Sequence, residues 1–156
     1  MMKRVCRAWR MIITAIFIAA PLISTAQDMF LVQPVFESNQ NEYVNHTAFL
    51  FFGQSYESLE FGTRVDTPSA VQNHDLTCTS GSPKSSSPAE VVWQGGPLNG
   101  FRRVRLTLGL RTKPDFVGTV KITFFARLPG TTTDLHYRTV TVSIGQLPAP
   151  SINYPI

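Results

Sequence analysis

Apolar and polar residues alternate with a period of two along much of this chain, the spacing that places successive side chains on opposite faces of a β-strand. The clearest run is 118–128, where Val120, Ile122, Phe124, Ala126 and Leu128 share one face and Thr119, Lys121, Thr123, Phe125 and Arg127 the other. A turn-rich connector, Pro129-Gly130-Thr131-Thr132-Thr133-Asp134, leads into 135–144, where Val140, Val142 and Ile144 alternate with Thr139, Thr141 and Ser143. The pair reads as an antiparallel hairpin. Residues 101–110 alternate as well, with Val104, Leu106, Leu108 and Leu110 inward and Arg103, Arg105, Thr107 and Gly109 outward. Weaker strands are expected at 47–52, Leu59–Val65 and 90–93. A loop is expected at the Ser/Pro-rich 79–88, and the one short region that could be helical is 39–48. About seven short strands with Pro and Gly between them, and no sustained 3.6-residue period, predict an all-β, antiparallel β-sandwich.

Composition places that sandwich in a setting. Of 156 residues, 43% are hydrophobic and 15% charged, enough for one core and too apolar for a disordered chain. Residues 1–26 read as a secretory signal. Lys3, Arg4, Arg7 and Arg10 precede an apolar run over 12–23, and Ser24-Thr25-Ala26 offers a small-residue cleavage site before Gln27. That run is shorter than the roughly 20 apolar residues that span a bilayer and contains Thr14 and Pro21, so no stable membrane span is expected. Cleavage removes four of the 14 basic residues and none of the 10 acidic ones, leaving a neutral chain. Neutrality argues against nucleic acid, which needs a cationic face to displace counterions from phosphates. Cys6 leaves with the signal, and Cys78 remains as a free thiol, an intermolecular bridge or a buried small apolar residue. The domain is expected to occupy 27–147, with a Pro-rich tail at 148–156.

The stretch Leu76-Thr77-Cys78-Thr79-Ser80-Gly81-Ser82-Pro83-Lys84-Ser85-Ser86, followed by Val91-Val92-Trp93, Pro114-Asp115-Phe116-Val117-Gly118-Thr119-Val120 and Phe124-Phe125-Ala126, resembles the second half of a reeler domain. Reeler domains are secreted Ig-like β-sandwiches of matrix proteins such as reelin and spondins, of insect defence proteins and of ferric-chelate reductase relatives. The resemblance implies a non-enzymatic extracellular recognition or adhesion module of matrix or host defence, without a cofactor, whose partner is an extracellular protein, a glycan or a microbial surface. Cys78 stands where the family pattern has His. Trp93 and Pro114 lie almost together in that pattern, so 94–113 reads as an extra hairpin or as noncoding sequence retained in the gene. The competing reading is a structural subunit or fragment of a larger extracellular assembly, linked through Cys78 and the tail.

Four constellations could carry chemistry. Asn45-His46-Thr47 is an N-glycosylation sequon, or a chance tripeptide. Arg103, Arg105 and Arg111 fall on one strand face in a stretch with no acid between Glu90 and Asp115. They suit sulfate or phosphate groups of a surface, or else form a solvated face that discourages edge pairing. His74 and Cys78 fall short of the four ligands of a structural zinc site, and His46, His74 and His136 read as surface or cap residues. Gly53-Gln54-Ser55-Tyr56-Glu57 lacks the second Gly of a nucleophile elbow, so no catalytic residue is assigned. Trp93 reads as a core anchor rather than a ligand-stacking platform.

Overall fold

A computed structural model describes residues 29–32, 34–53, 55–99 and 102–146. The signal-like segment 1–26 and the tail 148–156 lie outside the described residues. Among the described residues ten strands build two sheets: β1 (Met29–Val32), β2 (Glu37–Asn39), β3 (Tyr43–Phe52), β4 (Leu59–Val65), β5 (Val71–Cys78), β6 (Ser82–Ser86), β7 (Glu90–Gly95), β8 (Arg102–Thr112), β9 (Gly118–Arg127) and β10 (Asp134–Gly145). The smaller sheet has the order β1-β3-β8-β5 and the larger β2-β10-β9-β4-β7-β6. The molecule is an all-β sandwich of two stacked sheets. It has more strands than the seven expected, and β2 runs parallel to β10, so the larger sheet is not wholly antiparallel.

The core lies where the inward faces of the two sheets meet. Ala48, Leu50 and Phe52 of β3 and Val104, Leu106, Leu108 and Leu110 of β8 pack against Leu59 and Phe61 of β4 and Val120, Ile122, Phe124 and Ala126 of β9. Alternation alone decides which side chains these are, because the strand period sends every second residue inward. The β9–β10 hairpin forms in the expected register, with Val140 opposite Ile122 and Val142 opposite Val120. Gly130, at φ 76, occupies the left-handed backbone region in its connector, where a side chain would be strained.

Three local expectations change. The region 39–48 is not helical: after a turn at Asn41, whose φ is 59, the chain enters β3 at Tyr43. His46 takes an inward position between Val44 and Ala48, and that polar residue masks the alternation in the sequence. Residues 79–88 are not wholly loop, since Ser82–Ser86 pairs with β7 as an exposed edge strand bulged between Pro83 and Ser85. Residues 94–113 are not a separable hairpin. Their larger part is β8, which pairs with β3 on one side and β5 on the other, so it is an inner strand of the smaller sheet.

Candidate binding face

The outer face of the smaller sheet is a stack of rungs fixed by strand register. Phe51 of β3 lies beside Arg103 of β8. Next come Phe30, Phe49 and Arg105 across β1, β3 and β8, then Val32, Thr47, Thr107 and Thr77 across all four strands. Beyond them lie Asn45, Gly109 and Asp75, and then Tyr43, Arg111 and Asn73. The three arginines expected on one face therefore do share it, and Asn45 shares it too. Asn45 is exposed, although its strand begins earlier than 47.

Within this face the arginines differ. Arg111 lies over the ring of Tyr43 at 5.4 Å, and the Tyr43 hydroxyl donates to Asp75 Oδ2 at 2.8 Å. That bond to a carboxylate raises the Tyr43 pKa. Tyr43 reaches Asp75 by lying across β8 at Gly109, where a Cβ would come within 2.5 Å of its ring. Arg103 stacks on Phe49 at 5.1 Å, and Arg105 is exposed. Among the described residues, none of these three arginines lies within 4.0 Å of a carboxylate oxygen as an ion pair. Open depressions lie along the Arg105 side. One of about 380 Å³ is lined by Phe49, Thr79, Arg103 and Arg105, and another of about 520 Å³ includes Thr47, Thr77, Thr79, Arg105 and Thr107.

The outer face of the larger sheet is organised differently. Phe125 of β9 points outward yet is fully buried, because the guanidinium groups of Arg64 and Arg127 lie over its ring at 4.9 and 4.7 Å. Gly62 opposite leaves room for the ring, since a Cβ there would sit 2.3 Å from Phe125 Cζ. Around it runs an alternating chain of charge, in which Lys84 pairs with Glu60, Glu60 with Arg127 at 2.8 Å, Arg127 with Glu90 at 3.1 Å, and Arg64 with Asp134. Burial alone would raise the Glu60 carboxyl, but its bonds to Lys84 and Arg127 outweigh this and hold it below the usual carboxylate range. The sequence shows Phe125 and Arg127 on one face but not this network, which depends on register across β4, β6, β7, β9 and β10.

The histidines are corrected. His46 is 1% and His74 6% exposed, so two of the three sit inside the sandwich rather than at its surface or a cap. His74 bridges the sheets, with Nε2 at 2.8 Å from Thr63 Oγ1 and Nδ1 at 3.1 Å from the Pro88 carbonyl oxygen. With both ring nitrogens engaged, it is not poised toward Cys78. His46 Nδ1 accepts from the Val35 N–H at 3.4 Å, and its Nε2 has no hydrogen-bond partner among the described residues. Burial lowers the pKa of both. Cys78 is a half-buried free thiol packed against the core, and burial pushes its pKa up. No group of three or more His, Cys, Asp or Glu side chains that could hold a metal ion occurs among the described residues. Trp93 is partly buried against the core and donates its indole N–H to the Leu76 carbonyl at 2.9 Å, tying β7 to β5 across the sandwich.

Neither a family model nor a curated protein matches this sequence. In fold the chain is similar to one chain of the CaDoc0917–CaCohA2 cohesin–dockerin complex, with a TM-score of 0.50 and 10% identity over 76% of this chain and all of that one. It is similar to part of a family 123 glycoside hydrolase from Clostridium perfringens, with a TM-score of 0.50 and 7% identity, covering 78% of this chain and 28% of the enzyme. The collagen binding subdomain of the Enterococcus faecalis surface protein ACE gives a TM-score of 0.36 and 11% identity, covering 74% of this chain and 95% of that one. None of the three is a reeler domain. Among the described residues no helix is long and apolar enough to cross a membrane. What the first two likenesses share with this chain is a fold, a two-sheet β-sandwich.

Proposed function

We propose that this chain is a secreted, non-enzymatic recognition or adhesion module that meets an extracellular protein, glycan or microbial surface through the outer face of its smaller sheet. The observation that carries the reading is the contrast between the two outer faces. Around Phe125 on the larger sheet Glu60, Glu90 and Asp134 are each paired to a base, whereas Arg103 and Arg105 of the smaller sheet stand beside Phe49, with Phe30, which is 51% exposed, on the strand beyond it, and have no ion-pair partner among the described residues. Exposed aromatics beside arginine are the composition of a recognition surface. The fold is shared with a chain whose own structure is that of a complex with another protein. The signal-like 1–26 and the reeler resemblance support the extracellular setting. Replacing Arg103→Glu together with Arg105→Glu is expected to abolish attachment to immobilised matrix or microbial cells, and wild-type attachment is expected to weaken as salt rises. Unchanged attachment in the double variant would reject this face.

A second reading, as a subunit of a larger extracellular assembly, is favoured by β1. This edge strand turns Phe30 and Val32 outward, the latter 40% exposed. An unpaired edge with apolar side chains can accept a strand from a neighbour. The half-buried Cys78, with its raised pKa, gives little support to a disulfide as the link. Light scattering decides: a monomer at high concentration removes this reading, and a dimer dispersed by Phe30→Lys supports it.

A further inference from the structure

Resting on the reading of this face as a recognition surface, we propose that its occupant is a sulfated polysaccharide lying across the strands, in the trough floored by Thr47, Thr107 and Thr77. These threonines stand abreast on β3, β8 and β5. Their short side chains lie between a higher wall of Phe30, Phe49 and Arg105 and the ridge made by Tyr43, which crosses Gly109 to reach Asp75. The floor is therefore recessed and runs perpendicular to the strands.

The chemistry of floor and wall selects the ligand. A threonine hydroxyl both donates and accepts, as a sugar hydroxyl does, so a hydroxyl floor suits a saccharide better than an apolar side chain. Thr79 adds another hydroxyl beside Arg105, although its Oγ1 already accepts from the Arg105 N–H at 2.9 Å. Arginine presents a planar fork of donors that grips an oxyanion with two parallel bonds. Arg103 and Arg105 are two residues apart on one strand face, about 7 Å along it, so both guanidinium groups stand on the same side of the trough and can reach anionic substituents projecting from one flank of a chain that lies across the strands. Stacking on Phe49 holds the Arg103 guanidinium beside this wall. Thr77 Oγ1 already donates to the Thr107 carbonyl oxygen at 3.3 Å and so offers a ligand its acceptor side. A bilayer surface could meet the arginines but would leave the recessed Thr47 and Thr107 hydroxyls unmatched. An acidic peptide would satisfy the arginines but brings one backbone donor and one acceptor per residue, whereas a sugar ring presents several hydroxyls that each donate and accept, the closer match to a row of threonines.

The test titrates the full chain with a heparin-derived hexasaccharide, its chemically desulfated counterpart, inorganic polyphosphate, and phosphatidylcholine vesicles containing phosphatidylserine. The sulfated hexasaccharide is expected to bind with an affinity that falls as salt rises, and Arg103→Gln and Arg105→Gln each to weaken it about tenfold. Thr107→Val, which keeps shape and strand propensity, is expected to weaken the hexasaccharide about fivefold and leave polyphosphate binding unchanged. Matching thermal melts establish that each variant is folded. Equal binding of the desulfated sugar or of the vesicles overturns the assignment, as does a Thr107→Val variant that binds the hexasaccharide normally. If no sulfated sugar binds while attachment to matrix or cells still responds to reversal of Arg103 and Arg105, the polysaccharide is wrong and the recognition face stands. If reversal changes no attachment, both fall.

Discussion

Phe125 lies on the outer face of β9, yet Arg64 and Arg127 cover it completely. What makes this possible is Gly62 on the next strand, and nothing local in the sequence marks that glycine as a seat for a ring. Gly62→Ala is expected to destabilise the fold by about 3 kcal/mol, because the new Cβ collides with Phe125 and with the Val91 carbonyl oxygen at 2.6 Å. Chemical denaturation checks it, and an unchanged midpoint would refute the close fit. The buried histidines were hidden for a different reason: a polar residue on a half-polar strand gives no sign of facing inward. Both have a folded pKa below the usual 6.5. The unfolded chain thus binds protons that the folded chain refuses, so stability is complete above pH 6.5 and declines as pH falls through that value toward the folded pKa. A denaturation midpoint lower at pH 5.5 than at pH 7.5 is expected, and a flat profile would contradict the burial. Glu60, lowered from 4.5, has its own window, in which stability is lost only as pH falls below that value.

At the level of elements, β8, β9 and β10 are legible because each carries an unbroken alternation longer than most strands. β1, β2, β5 and β6 are not. β2 and β6 have almost no apolar residue to alternate, being Glu-Ser-Asn and Ser-Pro-Lys-Ser-Ser. β5 reads Val-Gln-Asn-His-Asp-Leu-Thr-Cys, and a bulge between Val71 and Asn73 shifts its phase before His74 and Leu76 turn inward. Such strands are specified by their neighbours, which supply the ladder and the cover that their own side chains lack. The same logic settles the role of 94–113 in this fold. Deleting it removes the strand that joins β3 to β5, so the shortened chain is expected to lose cooperative unfolding and near-UV circular dichroism. A deletion variant that still melts cooperatively would show the strand to be dispensable. The milder substitution Leu106→Ala, at a fully buried position, is expected to cost about 3 kcal/mol in denaturant titration.

At the scale of the whole molecule, the candidate face was half legible. The sequence places Arg103, Arg105 and Arg111 together, but the trough between them needs the registers of β3 and β5 with β8, which bring Thr47, Thr107 and Thr77 abreast. Asn45 belongs to the same surface, one rung from those threonines. A glycan attached there would stand over the trough, so enzymatic removal of an Asn45-linked glycan is expected to increase hexasaccharide binding severalfold, and no change would place that glycan clear of the surface. The paired charges around Phe125 have a further consequence for how the protein meets a surface. With the bases nearest Phe125 already matched by acids, with Arg103, Arg105 and Arg111 unmatched among the described residues, and with as many bases as acids from residue 27 onward, attraction to an anionic layer acts through a local cluster rather than through the charge of the whole chain. Such a body is drawn only weakly from afar and is held on close approach, so it acts as a latch rather than a magnet.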